Sequence, residues 1–315
     1  VLSTIYKTYA TEGNLNNHIG IPLTILKIND DAEIAIIEMG ANHQKEIEGY
    51  CKYTLPTHGV ITNCGKAHLE GFGGEEGIRK GKGELFDYLR ENKGTAFVMW
   101  DYDYLQTMSK GIYYLVKYGT HDADFIGTVK NSSEFLEVSI SAGADMETIK
   151  TNLIGEYNLP NILLAVAIGK YFKVPDEKIT QALEKYTPSN SRSQLIKKGN
   201  NNIILDAYNA NPSSMKAAIE NFSKMEGKDK VLVLGGMMEL GAHSIEEHQG
   251  LVDLINKYTW KYVVLVGGDF NKTNHHFINL DNSELAKDWF KKQDFNNAII
   301  LIKGSRSTLM EKVLE

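Results

Sequence analysis

The sequence predicts an α/β fold in which a parallel sheet with a small antiparallel subsheet precedes a second, doubly wound parallel sheet. In the second half of the chain, four apolar segments alternate with helical ones, as parallel strands joined by helices do. Earlier, three neighbouring segments with alternating apolar residues indicate a small antiparallel group. The length of 315 residues exceeds one ordinary hydrophobic core, so two domains are expected.

The elements are expected in the following order. The first half is expected to have a fully buried strand at 34–39, which is apolar apart from Glu38, and further strands at 60–62, 96–100 and 113–117. Its helices are expected at 42–53 and from Glu75 onward. The antiparallel group comprises 125–129, 135–141 and 148–154. The second half has strands at 202–207, 230–235, 261–267 and 297–302 and helices at 212–224, 244–258, 282–292 and 305–313. Pro188, in a run of small polar residues, divides a domain at 1–188 from one at 189–315.

Composition narrows the class of protein. The net charge of −6 and the pI near 5.9 argue against non-specific nucleic-acid binding. Two cysteines, Cys51 and Cys64, cannot form a disulfide framework, and a reducing cytoplasm suits them. No apolar run approaches the ~20 residues of a membrane helix, so membrane insertion is not expected.

Polar residues cluster after the strand predicted at 60–62. Asn63, His68 and Glu70 follow that strand, a glycine-rich bend comes next, and the helix from Glu75 carries Lys82. Because the carboxyl ends of parallel strands form an open crevice, this stretch is where an α/β sheet places its chemistry. The glycine-rich run 234–241, LGGMMELG, does not match a dinucleotide fingerprint, so the second sheet is expected to be Rossmann-like without binding a nicotinamide cofactor.

Three features leave alternatives open on the residues alone. Glu38 ends a strand expected to be buried, and either a salt bridge, the commoner case, or a magnesium ion would compensate its charge. Asn158 and Asn161 share one face of a helix start and would either cap the helix or contact a base edge. The helix expected after Gly304 would present free N–H groups to an anion or simply be capped.

Eight segments, in order, resemble the Mur ligase family. They are EMGANHQ (38–44), TNCGKAHLEGFGG (62–74), KGKGELF (80–86), GEYNLPNILLA (155–165), NSRSQ (190–194), DAYNANPSSM (206–215), MELG (238–241) and KGSRSTLMEKV (303–313). NSRSQ, DAYNANP and KGSRS, together with TEGNLNNHIGIPLT (11–24), are most similar to the members that join D-alanyl-D-alanine to UDP-N-acetylmuramoyl-tripeptide. Each motif is weak by itself, whereas eight in register are specific.

The resemblance implies a cytoplasmic, monomeric enzyme of three domains that serves peptidoglycan synthesis. ATP would phosphorylate a substrate carboxylate, and an amine would displace phosphate from the acyl phosphate. This chain would be most of the central, ATP-binding domain and all of the C-terminal domain, with the P-loop and the UDP-binding domain lying upstream of Val1. The chain by itself is therefore expected not to turn over ATP.

The resemblance also implies a role for individual residues. Glu38, His68 and a carbamylated Lys82 would hold Mg²⁺, and Lys82, His68 and Arg192 would be catalytic. The ATP-binding residues would be Asn158, Asn161, Arg192 and Asp206. The substrate-binding residues would be Asn14, Asn16, Asn17, Tyr208, Asn209, Asn211, Gly304, Ser305 and Arg306.

Two positions depart from the family pattern, and two other functions stay open. Tyr157 stands where members often have histidine, and Gly236 where aspartate is common. Another Mur-type or folylpolyglutamate-type ligase is one alternative, although the asparagine loop and NSRSQ speak against it. A non-catalytic nucleotide-binding module is the other, because no P-loop lies within these residues.

Overall fold

Two six-stranded sheets, one in each half of the chain, form the frame of the computed structural model, which describes residues 1–189 and 191–315. The helices are α1 (Gly20–Leu26), α2 (Glu46–Thr54), α3 (Leu69–Phe72), α4 (Glu75–Glu91), α5 (Asp103–Met108), α6 (Leu159–Tyr171), α7 (Asp176–Lys185), α8 (Pro212–Lys224), α9 (Ser244–Ile255) and α10 (Ser283–Lys291).

The strands are β1 (Thr8–Ala10), β2 (Ile34–Ile36), β3 (His58–Val60), β4 (Thr95–Met99), β5 (Tyr114–Gly119), β6 (Phe125–Asn131), β7 (Glu137–Ala142), β8 (Thr148–Lys150), β9 (Gln194–Lys198), β10 (Asn201–Asp206), β11 (Asp229–Gly235), β12 (Tyr262–Val266), β13 (Ile278–Leu280) and β14 (Ala298–Lys303). The α/β class predicted from the sequence is confirmed.

The first sheet has the strand order β3-β4-β5-β6-β7-β8. Its first four strands pair in parallel, whereas β6, β7 and β8 pair antiparallel, as the alternating apolar pattern predicted. All five residues of β4 are buried, which is typical of a central parallel strand with both faces covered. The apolar helix α6 packs against this sheet and contributes Leu163 and Val166 to its core.

The second sheet has the order β13-β12-β11-β14-β10-β9 and is parallel except for β9, which pairs antiparallel with β10. Side chains alternate between its faces, so Leu232 and Leu234 enter one hydrophobic cluster while Val231 and Val233 enter another. A core on each face makes the sheet doubly wound, as predicted. The two edge strands β9 and β13 were not predicted, because neither has a run of buried apolar residues.

The prediction of a fully buried strand at 34–39 is wrong. The strand β2 is only three residues long, and Ala35 and Ile36 are exposed. Within the described residues β2 pairs only with β1 and belongs to neither six-stranded sheet, so neither of its faces is fully covered. An apolar run predicts burial only if partner elements cover it.

The prediction of a helix at 305–313 is also wrong. Two short 3-10 turns, Arg306–Thr308 and Met310–Leu314, occupy this stretch. Leu309 between them has a left-handed backbone with φ of 49°, which no α-helix accommodates. The Thr308 hydroxyl donates to the Ser305 carbonyl at 2.7 Å, a local side-chain bond that competes with helical hydrogen bonding.

Within the described part of the chain, no helix is both long and apolar enough to cross a membrane. Asn190, the first residue of the NSRSQ motif, lies outside the described residues.

Candidate active site

The loop between β3 and α3, residues 61–68, contacts the second half of the chain. The backbone N–H of Lys66 donates to the Ser213 hydroxyl at 2.9 Å, and Ser213 lies in the first turn of α8. The Lys66 ammonium pairs with the Glu247 carboxylate at 2.8 Å, and Glu247 lies in the first turn of α9. The first turns of α8 and α9, in the second half of the chain, therefore contact the loop that follows β3 in the first half.

His68 lies at the end of this loop and contacts the Glu239 carboxylate of the second half. The His68 backbone is left-handed, with φ of 54°, which turns the chain sharply into α3. The backbone N–H of Glu70 donates to the Glu239 carbonyl at 3.4 Å. Glu239, in the MELG motif, thus contacts the candidate site, although no role was predicted for it.

Lys82 is half-buried on α4 and faces the same loop. Its ammonium donates to the Asn63 carbonyl at 2.7 Å. Burial lowers the pKa of the Lys82 ammonium, because the charged form loses solvation. A lowered pKa increases the fraction of neutral amine, which is the form that reacts with carbon dioxide to give a carbamate.

The asparagine loop meets the EMGAN segment on the first half of the chain. The Asn16 side-chain amide donates to the exposed Glu38 carboxylate at 3.0 Å, and the Asn16 main-chain carbonyl accepts from the Gly40 N–H at 2.7 Å. A Cβ at Gly40 would lie 2.9 Å from the Asn16 side chain, so glycine allows this close approach. The carboxamide of Asn17 accepts from the N–H of Ile19 and Gly20, whereas Asn14 is exposed.

The three residues of the implied magnesium site have separate partners. Glu38 meets Asn16, His68 meets Glu239, and the Lys82 ammonium meets a main-chain carbonyl. Glu38 makes no ion pair among the described residues, so the salt-bridge alternative is not realised there. Over the same residues, no three side chains of His, Cys, Asp or Glu lie together as a ready metal site. The donor set suits Mg²⁺ only if Lys82 supplies oxygen, since two of the three groups are then oxygen ligands.

Asn158 and Asn161 lie side by side, and the structure excludes the capping alternative for both. The Asn158 amide donates to the Ile154 carbonyl at 2.9 Å, and the Asn161 amide donates to the Asn158 side-chain oxygen at 3.0 Å. Helix α6 has no side-chain cap at its start. These hydrogen bonds orient the pair, and among the described residues the Asn161 side-chain oxygen accepts none.

Asp206 ends β10 and pairs with Lys303, which ends the neighbouring strand β14. The Lys303 ammonium lies 2.6 Å from Asp206 Oδ2 and 3.2 Å from the Asn209 carbonyl. The Lys303 side chain is only 4% exposed. No role was predicted for Lys303. The feature that could have indicated one is a lysine at the end of an otherwise apolar strand.

Arg192 lies beside Tyr208. The guanidinium carbon is 3.7 Å from the centre of the Tyr208 ring, a cation–π geometry that leaves the edge of the planar fork open. Arg192 is exposed and makes no ion pair among residues 1–189 and 191–315. The backbone N–H of Tyr208 donates to the Ser191 carbonyl at 3.2 Å, which joins this segment to the loop after β10.

Two asparagines of the same loop form local hydrogen bonds. The Asn211 side chain accepts from the Ser214 N–H at 2.9 Å, and the Ser214 hydroxyl accepts from the Asn211 N–H at 3.1 Å. This capping box, with Pro212 at the first helical position, fixes the start of α8. The Asn209 side-chain oxygen accepts from the Ala210 N–H at 2.8 Å.

The segment Gly304–Arg306 leaves β14 next to the end of β11. The backbone N–H of Ser305 donates to the Gly236 carbonyl at 3.2 Å, and Ser305 is buried. A Cβ at Gly304 would lie 2.6 Å from the Thr308 hydroxyl, so this turn requires glycine. Arg306 pairs with Glu311 at 2.9 Å. No α-helix starts here, so a helix dipole does not contribute to anion binding.

Two protein-family models match the chain, one in each half. The Mur ligase middle domain matches residues 1–169, and the Mur ligase, glutamate ligase domain, matches residues 191–306. The chain belongs to the Mur ligase family. Mur ligases are ATP-dependent enzymes that form C–N bonds, and the resemblance inferred from the eight motifs is confirmed.

The Mur ligase chain is similar to named relatives along its whole length. The UDP-N-acetylmuramoyl-tripeptide–D-alanyl-D-alanine ligase of Bacillus subtilis is 32% identical over 330 residues, which cover 100% of this chain and 71% of the relative. The crystal structure of MurF from Acinetobacter baumannii matches with a TM-score of 0.88 and 29% identity over 99% of this chain and 71% of that one. The crystal structure of MurF from Thermotoga maritima in complex with ADP matches with a TM-score of 0.87 and 26% identity, over 99% of this chain and 73% of that one.

Proposed function

We propose that this Mur ligase joins D-alanyl-D-alanine to UDP-N-acetylmuramoyl-tripeptide in the synthesis of peptidoglycan precursors. The observation that carries the proposal is the similarity over the entire chain to relatives that are named for this activity. A folylpolyglutamate synthase also shares the fold, but at 11% identity it supports the fold alone. The hypothesis of a non-catalytic module has no comparable support among the relatives.

The reaction needs an activated carboxylate. The terminal carboxylate of the tripeptide attacks the γ-phosphorus of ATP and ADP leaves; the amine of the dipeptide then attacks the acyl phosphate carbon, phosphate leaves and the amine loses a proton. Negative charge gathers on phosphoryl oxygens, so positioned cations provide most of the catalysis. The open fork of Arg192 suits this task because a guanidinium matches two phosphate oxygens at once.

We assign Mg²⁺ to Glu38, His68 and Lys82, with Lys82 as a carbamate. The ion would neutralise phosphate charge when bound. Support comes from the exposed Glu38 carboxylate without a cationic partner among the described residues and from the lowered pKa of Lys82. The Glu239 contact of His68 would orient the imidazole, as an acid beside a metal-bound histidine does.

The nucleotide would lie between the two halves. The Asn158–Asn161 pair is assigned to the adenine edge, because carboxamides match its donor and acceptor pattern. Asp206 is assigned to the ribose, although both carboxylate oxygens already accept bonds, one from Lys303 and one from the Ser193 N–H.

The other substrate contacts are assigned by position. The asparagine loop lies beside Glu38 and would face the tripeptide; its residues are Asn14, Asn16 and Asn17. The carboxylate of D-alanyl-D-alanine is assigned to Gly304, Ser305 and Arg306, next to Tyr208, Asn209 and Asn211. We further propose two domains, 1–188 and 189–315, and a monomer that works in the cytoplasm.

Coupled phosphate release tests the proposed function. The full-length protein is incubated with ATP, Mg²⁺ and UDP-N-acetylmuramoyl-tripeptide, and D-alanyl-D-alanine, L-alanyl-L-alanine or L-glutamate is added. Phosphate release is expected only with the D,D-dipeptide, with a UDP-pentapeptide as the product detected by mass spectrometry. Release that depends on glutamate would support the folylpolyglutamate-type alternative instead, and no release with any amine would support the non-catalytic module.

A further inference from the structure

Tyr157 joins the two halves of the chain next to Arg192. Its hydroxyl is hydrogen-bonded to the Ser193 hydroxyl at 3.0 Å, across 36 positions of sequence. The ring lies against Gly155, where φ is +94° and an added Cβ would come within 2.3 Å of the ring. Gly155 therefore permits a ring position that any other residue would block. The mechanism proposed above does not use Tyr157.

The segment 191–193, which carries Arg192 at its centre, has an unfavourable backbone. Ser191 has φ of 56° and Ser193 has φ of 47°, both in the left-handed region that residues other than glycine rarely adopt. Such a conformation persists only where surrounding contacts hold it. One contact is the Ser193 N–H, which donates to Asp206 Oδ1 at 3.1 Å. Another is the Ser191 carbonyl, which accepts from the Tyr208 N–H at 3.2 Å.

We propose that Tyr157 is a positioning residue, whose bond to Ser193 holds the segment 191–193 and thereby fixes where the Arg192 guanidinium lies. The inference rests on the proposed role of Arg192 toward phosphate. Tyr157 contacts this segment from the first half of the chain, beside the asparagine pair assigned to adenine. The nucleotide and its arginine are then set relative to each other by one hydroxyl.

The hydroxyl is suited to this task. Although 36% of the residue is exposed, desolvation around the hydroxyl raises the pKa of Tyr157, so the phenol is protonated at neutral pH and can donate or accept a hydrogen bond. Ser193 connects Tyr157 to the second half of the chain, because the Ser193 N–H donates to Asp206 and the Asp206 carboxylate is paired with the buried Lys303. The variant Tyr157→Phe retains the aromatic ring that packs against Gly155 and removes only the hydrogen bond to Ser193.

The test uses the full-length protein and the variants Tyr157→Phe, Ser193→Ala and the double variant. We expect each single variant to lower kcat roughly 5- to 20-fold with little change in KM for ATP, as loss of one constraining hydrogen bond predicts. The double variant should be no worse than either single one, because both remove the same bond. Tyr6→Phe is the matched control: it removes a hydroxyl bond of 2.7 Å to the Phe172 carbonyl, within the first half.

Hydrogen exchange of the ligand-free protein gives a readout that does not depend on ligase activity. The hydrogen-exchange rate of the Ser193 amide should be higher in Tyr157→Phe than in the wild-type protein and should be unchanged in Tyr6→Phe. Wild-type kcat in Tyr157→Phe, or additive losses in the double variant, would overturn the inference. If the wild-type protein shows no ligase activity, the proposed function fails, and the exchange rate of the Ser193 amide still tests the positioning contact. An unchanged rate in Tyr157→Phe would overturn that contact, and a faster rate would uphold it.

Discussion

Asp206 and Lys303 occupy matched positions at the carboxyl ends of neighbouring parallel strands, with Lys303 Nζ 2.6 Å from Asp206 Oδ2. Their side chains are 17% and 4% exposed, so each charge depends on the other for compensation. The pair fixes the end of the strand from which the loop with Tyr208 and Asn209 begins. A buried ion pair thus supports the proposed second half of the nucleotide site.

Breaking this pair should destabilise the protein. In Lys303→Met the Asp206 carboxylate stays in place without its cation, and we expect the free energy of unfolding to fall by about 3 kcal/mol. Urea unfolding followed by circular dichroism measures it. The matched control is Lys312→Met, which removes an exposed lysine paired with Glu284 at 3.0 Å and should leave the urea midpoint unchanged. Equal midpoints for both variants would contradict a structural role of the Asp206–Lys303 pair.

The sheet of the second half could be predicted well from the sequence. Four of its strands are apolar segments that are each followed by a polar or glycine turn: β10, β11, β12 and β14. Their predicted limits differ from the observed ones by one residue at almost every end. Strand β2 could not be predicted in the same way, because its exposure depends on which elements lie beside it. A local pattern reports a residue's own preference, whereas burial is set by distant partners.

The site shows the same limit. The family resemblance assigns Lys82, His68 and Arg192 to one catalytic site, but it does not predict the contacts of His68 with Glu239 or of Lys66 with Glu247. Those contacts join residues more than 170 positions apart, and no spacing rule reaches that far. The wrong prediction of a helix after Gly304 has a local cause, the competition of serine and threonine hydroxyls with helical hydrogen bonds.

Lys66 and Glu247 should act as one unit that holds the two halves together. Lys66→Met and Glu247→Gln are each expected to lower kcat about two- to fivefold, because each removes the Lys66–Glu247 ion pair. Lys66→Met also removes a longer contact with Glu75 at 3.6 Å, so the double variant should be no worse than Lys66→Met alone. The losses should shrink as sodium chloride rises from 50 to 500 mM, because salt already screens the wild-type pair. Lys45→Met, which breaks a pair with Glu48 inside the first half, is the control. Additive losses would show that the two residues act independently.

Lys82 should be required for activity as a carbamate. Lys82→Ala in the full-length protein is expected to lose activity at least about tenfold, and short carboxylates such as acetate should restore part of it by occupying the vacant oxygen position. Lys80→Ala, two positions earlier and exposed, is the control and should keep full activity. The loss and the rescue are measured as phosphate release with and without added carboxylate. Full activity in Lys82→Ala would mean that this amine is an ordinary lysine of α4.

Arg192 should matter most once charge moves onto the transferred phosphoryl group. Arg192→Lys keeps the positive charge but loses the planar fork that lies on the Tyr208 ring. We expect kcat to fall about tenfold or more while KM for ATP changes little, because the interaction is made chiefly in the transition state. Arg90→Lys is the control, since within residues 1–189 and 191–315 the Arg90 guanidinium bonds to Asp87 and to the carbonyls of Met108 and Lys110, all in the first half.

The measurement is steady-state kinetics of the full-length protein, with ATP varied at saturating UDP-tripeptide and D-alanyl-D-alanine. Arg192 follows the predicted domain boundary at Pro188, whereas Asn158 and Asn161 precede it. Under the proposed assignment, the nucleotide would therefore meet the guanidinium only when both halves surround it. A variant that raised KM for ATP and left kcat unchanged would make Arg192 a ground-state binding residue. Arg192 would then hold ATP as firmly before phosphoryl transfer as during it, and the two halves would have no need to close for catalysis.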